Sequence, residues 1–254
     1  MSTAPTHEAD VVIVGAGISG LIAARTVLAA GLTPVVLEAD DRVGGRILTQ
    51  DALPGLPVEL GAQWIGDTHH RMFALAAELG VPTYPQYDDG ETSYDLAGSG
   101  VLRQSEFHSR FAGELAELEK VFRLLDELAA EVPPEAPWLA PAAAEWDSVT
   151  AGAWYDGQGL SPVARTLLEI CTVGILAVPT VEVSFLHLLF TIQTCGVTSE
   201  LFAESEGGAQ TTRFVGGTGE IPRRLADLVA EHLVLQAPVQ LIEHGADQVT
   251  VTCR

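Results

Sequence analysis

The sequence predicts an α/β fold in which a small parallel sheet carries a mostly helical insertion. Three observations predict it. Val11 to Val14 is an apolar, β-branched run of the kind that becomes a buried parallel strand, and Gly15-x-Gly17-x-x-Gly20 follows at once. A helix-forming stretch and a second apolar run come next, with short connections. Residues from about 86 to 195 then carry helical spacing, before strand patterns return near the C-terminus.

Each element follows from local chemistry. Ser19 to Ala30 is rich in Ala and Leu and is stopped by Gly31, which predicts a helix. Pro34 introduces Val35-Val36-Leu37, a strand ending in Glu38, so that the first forty residues read as β-α-β with its strands parallel. The chain is loop-like from Arg42 through Gly44-Gly45, and Val58 to Trp64 reads as a strand end and turn. Thr68 is placed to cap a helix running to about Leu79, with Gly80 closing it. Within residues 86 to 135, Phe107, Phe111, Leu115, Leu118, Phe122 and Leu125 recur at helical spacing, predicting one long amphipathic helix. Its twelve acids against four bases predict a solvated outer face. Pro133 to Pro141 reads as a rigid connection, and residues 147 to 195 as buried helices broken near Gly157-Gly159 and Pro179. A strand pattern at Leu201-Phe202, a turn at Gly216-Gly217, a helix around Ile221 to Glu231 and strands at Val239–Ile242 and Val249–Thr252 complete the pass.

Composition excludes several functions. The net charge of −21 is wrong for sequence-independent binding of nucleic acid, which needs a cationic footprint, and for docking on anionic lipid. Cys171, Cys195 and Cys253 are widely spaced and support neither a disulfide framework nor a zinc site, so no metal is expected. No secretory leader is legible in the first ten residues. The apolar stretch Ile170 to Phe190 is interrupted by Pro179, Glu182 and His187, so a cytoplasmic protein without a membrane span is expected. No G-x-S-x-G, H-E-x-x-H or G-K-[ST] motif occurs, and His69-His70 reads as capping and surface. Lys120 is the only lysine.

The glycine motif carries the chemistry. Gly15 permits a tight turn, Gly17 lets a pyrophosphate approach the backbone, and Gly20 allows close helix-strand packing. The amides at the helix start, near Ser19, then bind phosphate charge with help from the helix dipole. Glu38, at the end of the second strand, is placed to accept ribose hydroxyl hydrogens and to repel a 2′-phosphate; Asp40 and Asp41 reinforce the exclusion of NADP. An ADP-containing cofactor follows, with NAD and FAD both open at this point.

The next segment distinguishes them by resemblance. Arg42-Val43-Gly44-Gly45-Arg46 is similar to a run of the flavin amine oxidase family, which includes monoamine oxidases, bacterial putrescine oxidases and L-amino acid oxidases. The resemblance continues through Glu59-Leu60-Gly61-Ala62-Gln63-Trp64, Pro137-Trp138, Trp146 to Thr150, Trp154, Gly207-Gly208-Ala209-Gln210, Phe214 to Gly217, and Ala237-Pro238-Val239. It implies FAD, with Arg42, Gly44, Gly45 and Arg46 near the pyrophosphate and flavin and Gly61, Ala62, Gln63 and Trp64 beside the isoalloxazine ring. It likewise implies that the Val239 backbone meets the adenine. Gln210, Leu201 and Phe202 become substrate-cavity candidates. Bottom-up, the tryptophans read as packing residues, and Gln210 reads equally well as a buried, backbone-satisfied amide. One position departs: the family commonly has an arginine two residues after the ribose acid, where this chain has Asp40.

The resemblance implies a Rossmann-like FAD-binding lobe of the glutathione-reductase-type ββα arrangement, with a mostly helical substrate lobe inserted. The expected boundaries are 1–84 and 215–254 for the FAD lobe and 85–214 for the substrate lobe. Both lobes are expected to be incomplete at Arg254, either because the sequence is a fragment or because a complementary polypeptide supplies the C-terminal half; the catalytic lysine is expected there, since Lys120 does not lie in the matching segment. The implied reaction oxidises a primary amine or diamine with FAD and dioxygen, giving an imine and hydrogen peroxide. A flavin-binding subunit that needs a second chain, and a related FAD-dependent desaturase or porphyrinogen-type oxidase, are the alternatives.

Overall fold

The computed structural model describes residues 7–96, 100–196, 198 and 208–254, and within them the chain forms two compact units. The first holds the described residues up to Ile65 together with His69–Pro85 and Thr212–Arg254; the second holds Gly66–Thr68 and the described part of Gln86–Thr211.

The first unit is organised by a parallel sheet. Strand β1 (Val11–Val14) pairs in parallel with β2 (Pro34–Leu37), joined by helix α1 (Ile18–Ala29). Every residue of β2 is buried, as its unbroken apolar run requires. Val36 faces Leu21 and Ala24 of α1, all three fully buried, whereas Val35 and Leu37 face Ala237, Val239 and Val251. Burying a leucine such as Leu21 is worth about 2 kcal/mol.

The further strands of this unit differ in how they read from sequence. The hairpin of β3 (Thr49–Leu53) and β4 (Leu56–Glu59) turns at Gly55, whose φ is +78°. The sequence gives no sign of β3 because most of its side chains face solvent, leaving no apolar alternation to detect. Helix α2 (His70–Glu78) starts later than expected: His69, not Thr68, holds the cap position, and no side chain caps it. Strand β5 (Thr83–Pro85) pairs antiparallel with β8 (Thr212–Phe214). Helix α9 (Glu220–Asp227) precedes β9 (Leu233–Val234), which pairs in parallel with β2 and so extends the sheet to the order β1-β2-β9. The two residues of β9 are too few for a pattern. Strands β10 (Val239–His244) and β11 (Val249–Cys253) form an antiparallel ribbon where the sequence places them.

The second unit is mostly helical. Strands β6 (Ser93–Leu96) and β7 (Gly100–Arg103) form a hairpin, followed by α3 (Gln104–Arg110) and α4 (Ala112–Ala129). The single long helix expected over 86 to 135 is thus corrected to a hairpin and two helices. The apolar spacing hid the break because hydrogen bonds bridge it: Phe111 N–H donates to Phe107 O at 2.9 Å, and Leu115 N–H to Phe111 O at 2.9 Å. Tyr94 of β6 stacks on Phe107 with ring centres 4.1 Å apart.

Helices α5 (Ala143–Asp147), α6 (Ala151–Asp156), α7 (Pro162–Leu176) and α8 (Phe185–Cys195) follow in this unit, broken near Gly159 and Pro179 as the sequence indicates. Ser161 and Ser184 cap α7 and α8 by accepting from Ala164 N–H and His187 N–H. Trp146 is buried in this core and Trp154 stacks on Phe185 at 4.4 Å, while Trp138 is largely exposed. Leu201 and Phe202 lie outside the described residues. Among the described residues no helix is long and apolar enough to cross a membrane.

Candidate functional site

The glycine loop is built as its chemistry requires. Gly15 has φ +97°, a conformation that disfavours any side chain, and a Cβ added at Gly15 or Gly17 would meet nothing within 4 Å. Gly20 is the opposite case: a Cβ there would lie 2.0 Å from the Gly15 carbonyl oxygen. The first two glycines therefore border open space, and the third lets α1 pack onto the turn.

Helix α1 begins without a cap. Gly17 holds the cap position, no side chain accepts from the first turn, and the first helical bond runs from Leu21 N–H to Gly17 O at 3.0 Å. The amides of Ile18, Ser19 and Gly20 thus precede the hydrogen-bond ladder at the positive end of the helix dipole. Ser19 is exposed beside them.

Glu38 anchors the other side of the loop. Its Oε2 accepts from Ala16 N–H at 2.6 Å and its Oε1 from Asp40 N–H at 2.9 Å. Each oxygen keeps acceptor capacity, so the half-buried carboxylate is fixed in place and can still take hydroxyl hydrogens. The segment leading to Val239 runs alongside: Ala237 N–H donates to Glu38 O and Gln236 N–H to Asp40 O. Val239 itself is half-buried against the Val35 and Leu37 face.

The Arg42 to Arg46 run divides its labour. Arg42 turns inward, donating from Nη1 to the Val43 and Ile47 carbonyls and from Nη2 to the Gly45 carbonyl, and it pairs with Asp40 at 3.4 Å. It braces the loop instead of presenting a free cation. Asp40, in the position where the resembling family has arginine, supplies that brace's counter-charge. Gly44 is buried with φ +106°, its Cβ position 2.8 Å from the Ile47 oxygen and 3.3 Å from Pro222. Its N–H donates to Ala16 O at 2.9 Å, which ties the two glycine loops together. Gly45 lies against Gly17 Cα. Arg46 is exposed, and its guanidinium makes no hydrogen bond or ion pair among the described residues.

The 59–64 segment packs onto this run. A Cβ at Gly61 would lie 2.2 Å from the Arg46 carbonyl oxygen, to which Ala62 N–H donates at 3.2 Å. Gln63 accepts from Arg213 at 3.5 Å, and Trp64 is a little over one third exposed. In the second unit, Gln210 is half-buried on a turn that packs against Gly66, and its amide makes no side-chain hydrogen bond among the described residues. Lys120 is exposed on α4. The sequence reading missed Thr49 and Thr218, which hydrogen-bond to Glu59 and seat the Gly216-Gly217 turn; neither stands in a recognisable spacing.

These features fit an adenine dinucleotide: an uncapped helix start, open space where Cβ atoms are missing, and a fixed carboxylate at the end of β2. The comparisons with known proteins agree. A family model described as flavin containing amine oxidoreductase matches residues 18–254. The chain is similar to a probable flavin-containing monoamine oxidase A of Dictyostelium discoideum, at 38% identity over 95% of this chain and 53% of that protein. It is 34% identical to human flavin-containing amine oxidase B over 97% of this chain and 47% of that protein. Among solved structures, a putrescine oxidase bound to putrescine superposes with a TM-score of 0.86 at 30% identity, covering 98% of this chain and 55% of that one. Cyclohexylamine oxidase from Brevibacterium oxydans IH-35A gives 0.87 at 33% identity, covering 96% and 55%. The chain thus spans about half the length of the curated relatives it matches.

Proposed function

Because this chain belongs to the flavin containing amine oxidoreductase family, whose cofactor is FAD, we propose that its first unit is the Rossmann-like, glutathione-reductase-type FAD lobe of an amine oxidase. The protein to which it contributes oxidises a primary amine or diamine to an imine that hydrolyses to the aldehyde, and dioxygen becomes hydrogen peroxide. The observation that carries this reading is the uncapped start of α1 beside Gly15 and Gly17, with Glu38 fixed at the end of β2.

Each residue has a role in holding the cofactor. The amides of Ile18, Ser19 and Gly20 bind the pyrophosphate charge, and Glu38 accepts the ribose hydroxyl hydrogens. Arg46, exposed and uncommitted, supplies a cation next to the glycine loops, while Arg42, Gly44 and Gly61 keep its backbone in position. Gly45, Ala62, Gln63 and Trp64 line the flavin side, and Val239 offers its backbone to the adenine. Gln210 is the substrate-cavity residue of the helical lobe, which comprises about residues 85–214; Leu201 and Phe202, the other two candidates, lie outside the described residues. FAD, when bound, supplies the two-electron acceptor for the carbon next to the amine nitrogen. The net charge of −21 raises the local concentration of cationic amines by long-range attraction, and a diamine gains most from it.

The test is direct. The purified protein is denatured, the released chromophore is identified by its absorption spectrum, and the flavin-to-protein ratio is measured. Native protein is then assayed for peroxide with putrescine, a monoamine, an L-amino acid and a porphyrinogen. Stoichiometric FAD is the expected result for this chain, with peroxide from the amines once the C-terminal half is present. Protein that is folded yet neither retains nor rebinds FAD overturns the cofactor assignment. Flavin reduced by the porphyrinogen alone moves the chain to the desaturase and porphyrinogen-oxidase branch, and activity gained only with a co-purifying polypeptide makes it a flavin-binding subunit.

A further inference from the structure

We propose that Glu59 and Thr49 form a positioning clasp for the cofactor cradle, an inference that rests on the FAD reading above. Thr49 opens β3 and Glu59 closes β4, directly opposite in register. Glu59 Oε2 accepts from Thr49 Oγ1 at 2.5 Å, and its Oε1 accepts from Thr218 N–H at 2.6 Å. Thr49 Oγ1 in turn accepts from Gly219 N–H at 2.8 Å. Two amides at the entry to α9 are therefore satisfied by one hydroxyl and one carboxylate. Gly217, at φ +91°, allows the seating, since a Cβ there would come within 2.4 Å of Thr49 Cγ2 and 2.9 Å of Glu59 Oε1.

The clasp matters because both elements it joins press on the same loop. From α9, the buried Pro222 lies against Gly44, whose amide holds the Ala16 carbonyl of the first glycine turn. From the hairpin, Leu60 N–H donates to Leu48 O at 2.8 Å, and Gly61 and Ala62 sit on the Arg46 carbonyl. The backbone of Gly44 to Arg46 is thus held from two sides, and Glu59 and Thr49 fix the sides to each other. Glu59 forms no ion pair among the described residues, so its half-buried charge depends on these hydrogen bonds, which are of the stronger, charge-assisted kind. The clasp acts through the loop, because the hydrogen bonds of Glu59 and Thr49 run to the entry of α9 and to each other.

The experiment compares T49V, T49S and E59Q with the unaltered chain by two readouts. One is FAD affinity of the apoprotein, followed by quenching of flavin fluorescence. The other is amide hydrogen exchange over Gly44–Leu48. T49V keeps the volume and removes the hydroxyl. It is expected to weaken FAD about tenfold, the scale of one lost charge-assisted hydrogen bond, and to speed exchange in that loop. T49S restores the hydroxyl and is expected to stay within about twofold of the unaltered chain. Should T49V fail to fold, E59Q decides, because it keeps the acceptor for Thr218 N–H and turns the other contact into a donor. Unchanged affinity and unchanged loop exchange in the folded variants overturn the clasp. If the unaltered chain binds no FAD, the cofactor reading fails by itself, and the exchange data still decide whether Glu59 and Thr49 hold the loop.

Discussion

The glycine cradle of the first unit and the Tyr155 cluster of the second restrain the chain by opposite means. In the cradle the working atoms are backbone: amides at the head of α1, carbonyls that take Arg42, and glycines whose missing Cβ atoms let turns touch. In the helical unit the restraint is side-chain chemistry. Tyr155, fully buried, shares a 2.9 Å hydrogen bond with the buried Thr172, and the Arg165 guanidinium lies over its ring at 5.4 Å. Arg165 also pairs with Asp156 and Glu169, both at 2.8 Å. Burial pushes the Tyr155 phenol up to about 12, which keeps it neutral at any working pH. Where backbone meets backbone, as at Gly20, Gly44 and Gly61, the cradle has no room for an added atom, while a side-chain-built core tolerates exchange of matched partners.

The largest expected effect breaks the cradle. Gly20→Ala places a methyl group 2.0 Å from the Gly15 carbonyl, so α1 must move off the turn. A stability loss of about 3 kcal/mol is expected, at the upper end for overpacking, together with loss of flavin retention. Thermal unfolding and the flavin-to-protein ratio check it; a G20A protein that keeps its flavin would show that the loop has slack.

The second effect tests the side-chain unit. Tyr155→Phe leaves the Thr172 hydroxyl buried without its partner and is expected to cost about 1–2 kcal/mol. Adding Thr172→Val removes both partners and is expected to recover most of that loss. Tryptophan fluorescence is a suitable probe, since Trp138, Trp146 and Trp154 all belong to this unit. Flavin affinity stays unchanged throughout if the two units are restrained independently. A double variant no more stable than Y155F would mean the cluster is not a matched pair.

The same contrast explains what could be read from sequence. Gly15, Gly17 and Gly20, the strands they join and Glu38 were legible because backbone geometry leaves a strict spacing of residue types. The β10–β11 ribbon and the helix breaks at Gly159 and Pro179 were legible through turn residues. What stayed hidden depends on partners far apart in the chain. Strand β3 has no buried face, β9 exists only because Glu38 N–H and Val36 pair with it, and the Thr49–Glu59–Thr218 contacts join residues up to 159 positions apart. The break at Phe111 escaped notice because the apolar spacing runs through it. Arg42 and Arg46 look alike in sequence, yet only the fold turns the first inward to carbonyls and leaves the second exposed.

That last difference gives a smaller test. Arg46→Met keeps the aliphatic stem and removes a charge that forms no contact with the described residues, so stability is expected to change by less than about 0.5 kcal/mol. Flavin affinity is expected to fall several-fold. Equal affinity would remove Arg46 from the cofactor site while leaving the glycine loop in place.

The smallest effect concerns acid stability, where the two units use the same chemistry. Burial raises the Glu169 pKa, but hydrogen bonds from Thr180 and Arg165 outweigh it and hold the carboxyl below its ordinary value. At Glu220 the bond from Arg223 dominates, burial opposes it, and Arg224 adds to the lowering. Both groups bind protons more weakly folded than unfolded. Their contribution to stability is therefore complete above about pH 4.3, the unfolded carboxylate value, and is lost as pH falls through the lower folded values. Glu169→Gln and Glu220→Gln should each flatten the dependence of unfolding free energy on pH below about 4.3 and leave its slope near neutrality unchanged. The Glu220 effect should be the weaker, because its partner Arg223 is more than half exposed and solvent screens the pair. Equilibrium denaturation at a series of pH values measures both slopes. An acid limb that is the same in E169Q and the unaltered chain would mean that Thr180 and Arg165 hold Glu169 no more firmly than water does.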